Sequence, residues 1–168
     1  DHDVPLPLAE YLAIVAATNF KQRIRKNLEY FHADRLNYAV TGTPNRLEYD
    51  QGFFVKNGDG AADLKPIAHL YKTQVYAMAR FLGLPQGICD AAPTTDTYSL
   101  PQGQDECYFA LPYRTMDLAL WAYVHGVPAG QLAKVLQVNE QQAARVYADI
   151  EAKRRAARYL HLAALLVK

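Results

Sequence analysis

The sequence predicts an α/β protein whose carboxy-terminal part is almost wholly helical. Three observations carry that reading: an amphipathic helix pattern leads into a short β-compatible run, a second helix follows, and helix signals dominate from Pro112 onwards. Residues 8–17 are apolar and helix-compatible. From Asn19 the pattern sharpens, with Phe20, Ile24, Leu28 and Phe31 on one face and Arg23, Lys26 and Arg35 off it. "LNYAVTG", residues 36–42, reads as a buried strand whose carboxyl end opens on "TPNRLEYD", and such strand ends bind ligands in open α/β sheets. "YKTQVYAMARFLGLP", residues 71–85, sets Val75, Met78, Ala79 and Leu82 at helical spacing and stops with Gly83 before Pro85. Its apolar face is expected against the sheet.

Residues 86–108 lose this periodicity and carry the turn-rich stretch "APTTDTYSLPQGQDE", so a long functional or mobile loop is expected there. Beyond it come "PYRTMDLALWAYVHG", ending at Gly126, then "PAGQLAKVL", then a long helix that Asn139 and Gln142 can cap. Leu118, Trp121 and Tyr123 read as core or subunit interface, and His125 as a helix-end residue.

The 168 residues suffice for one domain with a real core, and 51% hydrophobic with 21% charged residues is ordinary for a soluble globular protein. A formal net charge of +1 gives no overall field to recruit nucleic acid or an anionic membrane. No apolar run reaches a membrane-spanning length, and "DHDVPLPLAEY" lacks the features of a signal peptide. Cys89 and Cys107 form no C-x-x-C and have no closely spaced histidines, which argues against zinc and fits a reducing compartment. A cytoplasmic protein is expected.

Generic motifs mostly fail. There is no G-x-x-x-x-G-K-[ST], H-E-x-x-H or G-x-S-x-G, and the G-x-G-x-x-G begun by Gly58 and Gly60 meets Asp63 at its third glycine. The Asn57-Gly58 and Asp59-Gly60 pairs suggest a hairpin turn, yet Lys56, Asp63 and Lys65 around them serve no hairpin. What remains is a set of charged and hydroxyl residues in irregular segments: Thr43, Glu48, Lys56, Asp63, Lys72, Thr94 and Asp96. Lysine and threonine suit a phosphate and a carboxylate suits its magnesium, although any one of them alone is more often an ordinary solvated loop residue.

"TGTPNRLEYDQGFFVKNGDGAADLKPIAHLYKTQV" at 41–75, with "NFKQRIR" at 19–25, "APTTD" at 92–96 and "DE" at 105–106, resembles the ammonia-dependent NAD synthetases in order and spacing. The resemblance runs from about residue 19 to residue 155. It implies a Rossmann-like ATP pyrophosphatase (adenine nucleotide alpha hydrolase-like) fold, with an incomplete parallel sheet and residues 1–168 forming the carboxy-terminal portion of a single synthetase domain. It further implies ATP-dependent amidation of deamido-NAD through an adenylated intermediate, with Mg2+ and a homodimer joined through the amino-terminal helix.

By that resemblance Thr43, Lys72 and Thr94 are implied for ATP, Arg23, Lys56, Asp63 and Lys153 for deamido-NAD, and Glu48 for magnesium. The segment at 52–66 then becomes a substrate-binding loop, 86–108 a closing lid that is mobile without ligand, and Asp105 and Glu106 either the family's acidic pair or helix caps. Two departures stand out. The family's serine-glycine-glycine-x-aspartate-serine phosphate loop is absent from this sequence, and Ala152-Lys153-Arg154-Arg155-Ala156 stands where many relatives have His-Lys-Arg-Arg. A fragment without efficient activity of its own is therefore expected. The alternatives are a synthetase fragment of a glutamine-dependent enzyme and a non-catalytic nucleotide-binding or dimerisation module.

Overall fold

The computed structural model describes residues 6–94, 103, 108–109 and 111–167. The two amino-terminal helix patterns merge into one helix, α1 (Leu8–Leu36), since no glycine or proline interrupts its 29 residues. It stops at Asn37, which takes the left-handed conformation (φ 56°) and returns its amide to Ala33 and Asp34 carbonyls. Phe20, Ile24, Leu28 and Phe31 do share a face, but that face is 43–65% exposed, and the residues α1 buries are Lys26 and Ala33.

The strand expected at 36–42 is reduced to a single parallel bridge between Thr41 and Leu64, with Gly42 donating to the Leu64 carbonyl and Asp63 to that of Val40. Its first two residues are consumed by the end of α1, and among the described residues only the Leu64 segment pairs with the rest. Tyr38 is accordingly exposed while Val40 is buried. Among the described residues no ladder forms, so a sheet is not seen.

After the bridge, α2 (Arg46–Gln51) starts in a capping box: the Asn45 side chain accepts from the Glu48 amide, and Glu48 accepts from the Asn45 amide. It ends at Gly52, φ 78°. Residues 56–60 are successive turns rather than a hairpin. The next helix, α3 (Lys72–Phe81), closes through Leu82 and Gly83 as expected, but packs on α4 (Gln86–Cys89) and α5 (Tyr113–Val124), not on a sheet. α4 itself occupies part of the predicted loop. Residues 95–102 and 104–107, and with them Asp96, Asp105, Glu106, Cys107 and most of the proposed lid, lie outside the described residues.

The core lies where α2, α5, α6 (Ala129–Leu136) and α7 (Glu140–Ala157) converge, with Leu47, Phe109, Met116, Leu120, Ala143 and Ile150 buried. The capping box predicted for α7 is present, Gln142 and Asn139 exchanging side-chain and backbone bonds of 2.8 and 3.0 Å. On α5 the buried face includes Met116, Ala119 and Leu120; of the expected stripe Tyr123 packs against the core, whereas Leu118 and Trp121 are exposed. His125 is a helix-end residue, its Nδ1 2.7 Å from the Trp121 carbonyl. A 3-10 turn, Arg158–His161, follows α7 and seats His161 edge-on against the stacked rings of Tyr49 and Phe54. Among the described residues no helix is long and apolar enough to cross a membrane.

Candidate functional site

Glu48 occupies the third position of α2 because the capping box demands a glutamate or glutamine there. That bond employs Oε2, which leaves Oε1 facing the Lys72 ammonium at 4.0 Å. Both side chains are mostly buried, 13% and 19% exposed, and burial pushes the Glu48 carboxyl above its usual range against the pull of Asn45 and Lys72. Lys72 also lies over the rings of Tyr113 and Tyr76, 5.3 and 5.7 Å from their centroids.

The turn segment supplies a second group. Lys56 donates to the carbonyls of Tyr159 and Leu162, 2.9 Å each, while its own carbonyl accepts from Arg23 Nε at 3.2 Å. Arg23 and Lys56 are thus brought together, and Lys56 also secures the turn beyond α7. Asp63 is exposed and accepts from the Val40 amide at 2.8 Å, bracing the bridge. Thr43 is exposed at the rim of a polar pocket of about 130 Å³ between α1 and the bridge, walled by Gln22, Arg25, Lys26, Glu29 and Asp59. Asp59 binds the Val55 amide, and desolvation in this pocket raises its carboxyl despite nearby Lys26 and Arg25.

Lys153 stands apart from Lys56, bonded to Asp149 at 2.6 Å and set over the rings of Tyr108 and Phe109. Burial and then Asp149 push the Tyr108 hydroxyl up to about 12, and it donates to the Gln51 carbonyl. Thr94 is exposed and bridged to Gly103. Among the described residues a direct polar interaction therefore joins Glu48 with Lys72, and Arg23 with Lys56.

Sequence reasoning missed the elements that hold these groups. Arg154 grips Asp50 with two bonds of 2.7 and 2.6 Å, tying α2 to α7. Asp117 is buried on α5 and accepts from the amides of Lys72 and Thr73. Only Asp117 left a signal, as a carboxylate beside Met116 and Ala119 in an apolar helix.

The chain superposes on the structure of NMN synthetase from Francisella tularensis with a TM-score of 0.72 and 27% identity, covering 95% of this chain and 60% of that one. It superposes on an NH3-dependent NAD synthetase from Campylobacter jejuni at 0.66 and 21%, covering 98% and 58%. The fold is thus that of the NMN and NAD synthetases, the ATP pyrophosphatase fold, in its helical part.

Within that class the chain belongs to the NAD synthase family, whose model matches residues 8–157. It is 64% identical to the NH(3)-dependent NAD(+) synthetase of Rhizobium rhizogenes and 63% identical to that of Rhizobium meliloti, over 97% of this chain and 49% of each relative. The chain spans about half the length of those relatives.

Proposed function

We propose that this chain is the carboxy-terminal, substrate-holding part of an ammonia-dependent NAD synthetase, a ligase that amidates deamido-NAD at the expense of ATP. The observation that carries the reading is the mostly buried Glu48–Lys72 pair just after Thr43, in a chain so similar to enzymes of that name. Thr43, Lys72 and Thr94 are assigned to ATP, and Arg23, Lys56, Asp63 and Lys153 to deamido-NAD. A homodimer through the exposed apolar face of α1 and a cytoplasmic location belong to the same proposal.

Among the described residues no cluster of three or more His, Cys, Asp or Glu side chains could hold a metal unaided. Magnesium does not ask for one, since it keeps several waters and takes one or two carboxylates beside substrate phosphates. Glu48 Oε1, not used by the capping box, fits that demand. When bound, the ion would neutralise charge on the phosphates.

The nicotinate carboxylate is a poor acyl donor. It attacks the α-phosphorus of ATP, the bond to pyrophosphate breaks, and a mixed anhydride with AMP forms. Ammonia then attacks the carbonyl carbon, AMP leaves, and a proton is lost from nitrogen. Lys72 and Thr43 serve the first step by lowering repulsion between carboxylate and triphosphate. Arg23 and Lys56 serve both steps by fixing the dinucleotide, which turns collision into a first-order event. The serine-glycine-glycine-x-aspartate-serine loop does not occur in this sequence, and the backbone amides of such a loop are what would cradle departing pyrophosphate.

The test is NAD formation from deamido-NAD, Mg-ATP and ammonia by the 168-residue chain beside the full-length enzyme. Activity confined to the longer protein supports the reading, and turnover by neither defeats it. The likeness to NMN synthetase favours one further reading, amidation of nicotinate mononucleotide. A higher kcat/KM for the mononucleotide than for deamido-NAD selects it.

A further inference from the structure

We infer that Asp117 is the positioning residue for Lys72, holding it in place from a different helix. The inference rests on the reading of Lys72 as an ATP contact. Helix α3 begins at Lys72, and its first amides need acceptors that the helix itself cannot provide. A Ser, Thr, Asp or Asn at the preceding position normally supplies one, but that position is Tyr71, whose side chain makes no such bond. Asp117 takes over from α5: Oδ2 accepts from the Thr73 amide and hydroxyl at 2.8 and 2.7 Å, and Oδ1 from the Lys72 amide at 3.3 Å.

Asp117 is only 5% exposed, so these bonds are the compensation for the burial of its carboxylate. Tyr113 lies one turn earlier on the same helix and places its ring 5.3 Å from the Lys72 ammonium. One face of α5 thus holds Lys72 at both ends, Asp117 at its amide and Tyr113 at its side chain. The far side is closed by Glu48 at 4.0 Å. Losing Asp117 frees the first turn of α3 to shift, and a shift of that origin is carried directly into the direction of the Lys72 side chain. A mere cap would affect the amount of folded protein and leave substrate affinities alone.

The experiment is steady-state kinetics on the full-length enzyme with Asp117→Asn, Lys72→Met and the double variant. Asp117→Asn keeps an acceptor for Thr73 but turns a donor towards the Lys72 amide. The KM for ATP is expected to rise about tenfold with the KM for deamido-NAD within about twofold, and the rise is expected to vanish in the Lys72→Met background. If Lys72→Met raises the ATP KM and Asp117→Asn does not, or if the two effects add in the double variant, the inference about Asp117 is overturned while the ATP reading stands. If Lys72→Met itself leaves the ATP KM unchanged, the assignment of Lys72 fails and the inference with it. Should Asp117→Asn not fold, Thr73→Val carries the test. It removes only the hydroxyl bond, and it should raise the ATP KM about threefold without altering the deamido-NAD KM; an unchanged ATP KM overturns the inference.

Discussion

Asp50 and Arg154 join α2, which carries Glu48, to α7, which carries Lys153, and the pair invites a quantitative test. Arg154 donates through Nε and a terminal nitrogen to both carboxylate oxygens, 2.7 and 2.6 Å, the two-pronged geometry that gives the strongest ion pairs. The hydrogen bonds to Asp50 raise the Arg154 pKa further above its usual value, and the guanidinium lies 5.0 Å from the centre of the Tyr123 ring. The side chains are 34% and 21% exposed, between the two regimes for which magnitudes are known. Fully exposed pairs contribute about 0.2–1 kcal/mol, whereas removing one member of a fully buried pair costs about 3–5 kcal/mol. Arg154→Met, which retains much of the aliphatic stem, should therefore cost about 2 kcal/mol, and the coupling with Asp50→Ala in a double-mutant cycle should be about 1–2 kcal/mol. For a chain of this size that cost corresponds to a melting temperature lowered by roughly 4–8 °C. Urea and thermal unfolding of the four proteins measure it. A coupling below about 0.5 kcal/mol would refute the idea that this bridge, rather than the surrounding apolar contacts, fastens α7 to α2.

Three further expectations follow from single residues. Glu48→Gln keeps the capping box, since glutamine can also accept from the Asn45 amide, and removes a carboxylate whose ionisation opposes folding. Its raised pKa means the folded state holds the proton more tightly, so its contribution falls as pH rises from the ordinary value of 4.5 through the raised one. The wild type minus Glu48→Gln difference in melting temperature should therefore fall as the pH rises above 4.5, while magnesium-dependent adenylation weakens in the variant. A flat difference would contradict the burial of this group. Lys56→Ala should raise the deamido-NAD KM and also loosen the turn beyond α7, whose Tyr159 and Leu162 carbonyls it holds; hydrogen exchange across 158–163 reads the second effect. Gly52→Ala combines a left-handed φ of 78° with a Cβ placed 2.2 Å from that of Ala157, and should cost about 2–4 kcal/mol in urea unfolding.

What the sequence disclosed was chemistry written locally. Asn139 with Gln142 announced a helix start, Gly83 and Gly126 announced helix ends, and both are where the backbone turns as expected. At 52–66 the charges of Lys56, Asp63 and Lys65 only argued against a hairpin, and it was the family resemblance that implied a substrate-binding loop. What stayed hidden were pairings between residues far apart, such as Arg154 with Asp50 across 104 positions and Thr73 with Asp117 across 44. Periodicity shows which face of a helix is apolar, but not whether another element arrives to cover it. The α1 stripe illustrates this: Phe20 to Phe31 follow the helical period, yet that face is open in the described structure.

The run at 36–42 went wrong for a related reason. Its composition favours a strand, but a strand's stability lies in its neighbours, and only the Leu64 segment pairs with it among the described residues. The position of the site survives that difference, because what Thr43 and Glu48 require is an extended exit from Gly42 followed directly by a helix start. One parallel bridge and the Asn45 capping box supply both. A sheet would stiffen this exit, but it is α5, through Asp117 and Tyr113, and α7, through Arg154, that hold Lys72 and α2 in register. The candidate site is therefore built chiefly by the helices of this chain, and its geometry should respond more strongly to substitutions on α5 and α7 than to substitutions at Tyr38 or Ala39.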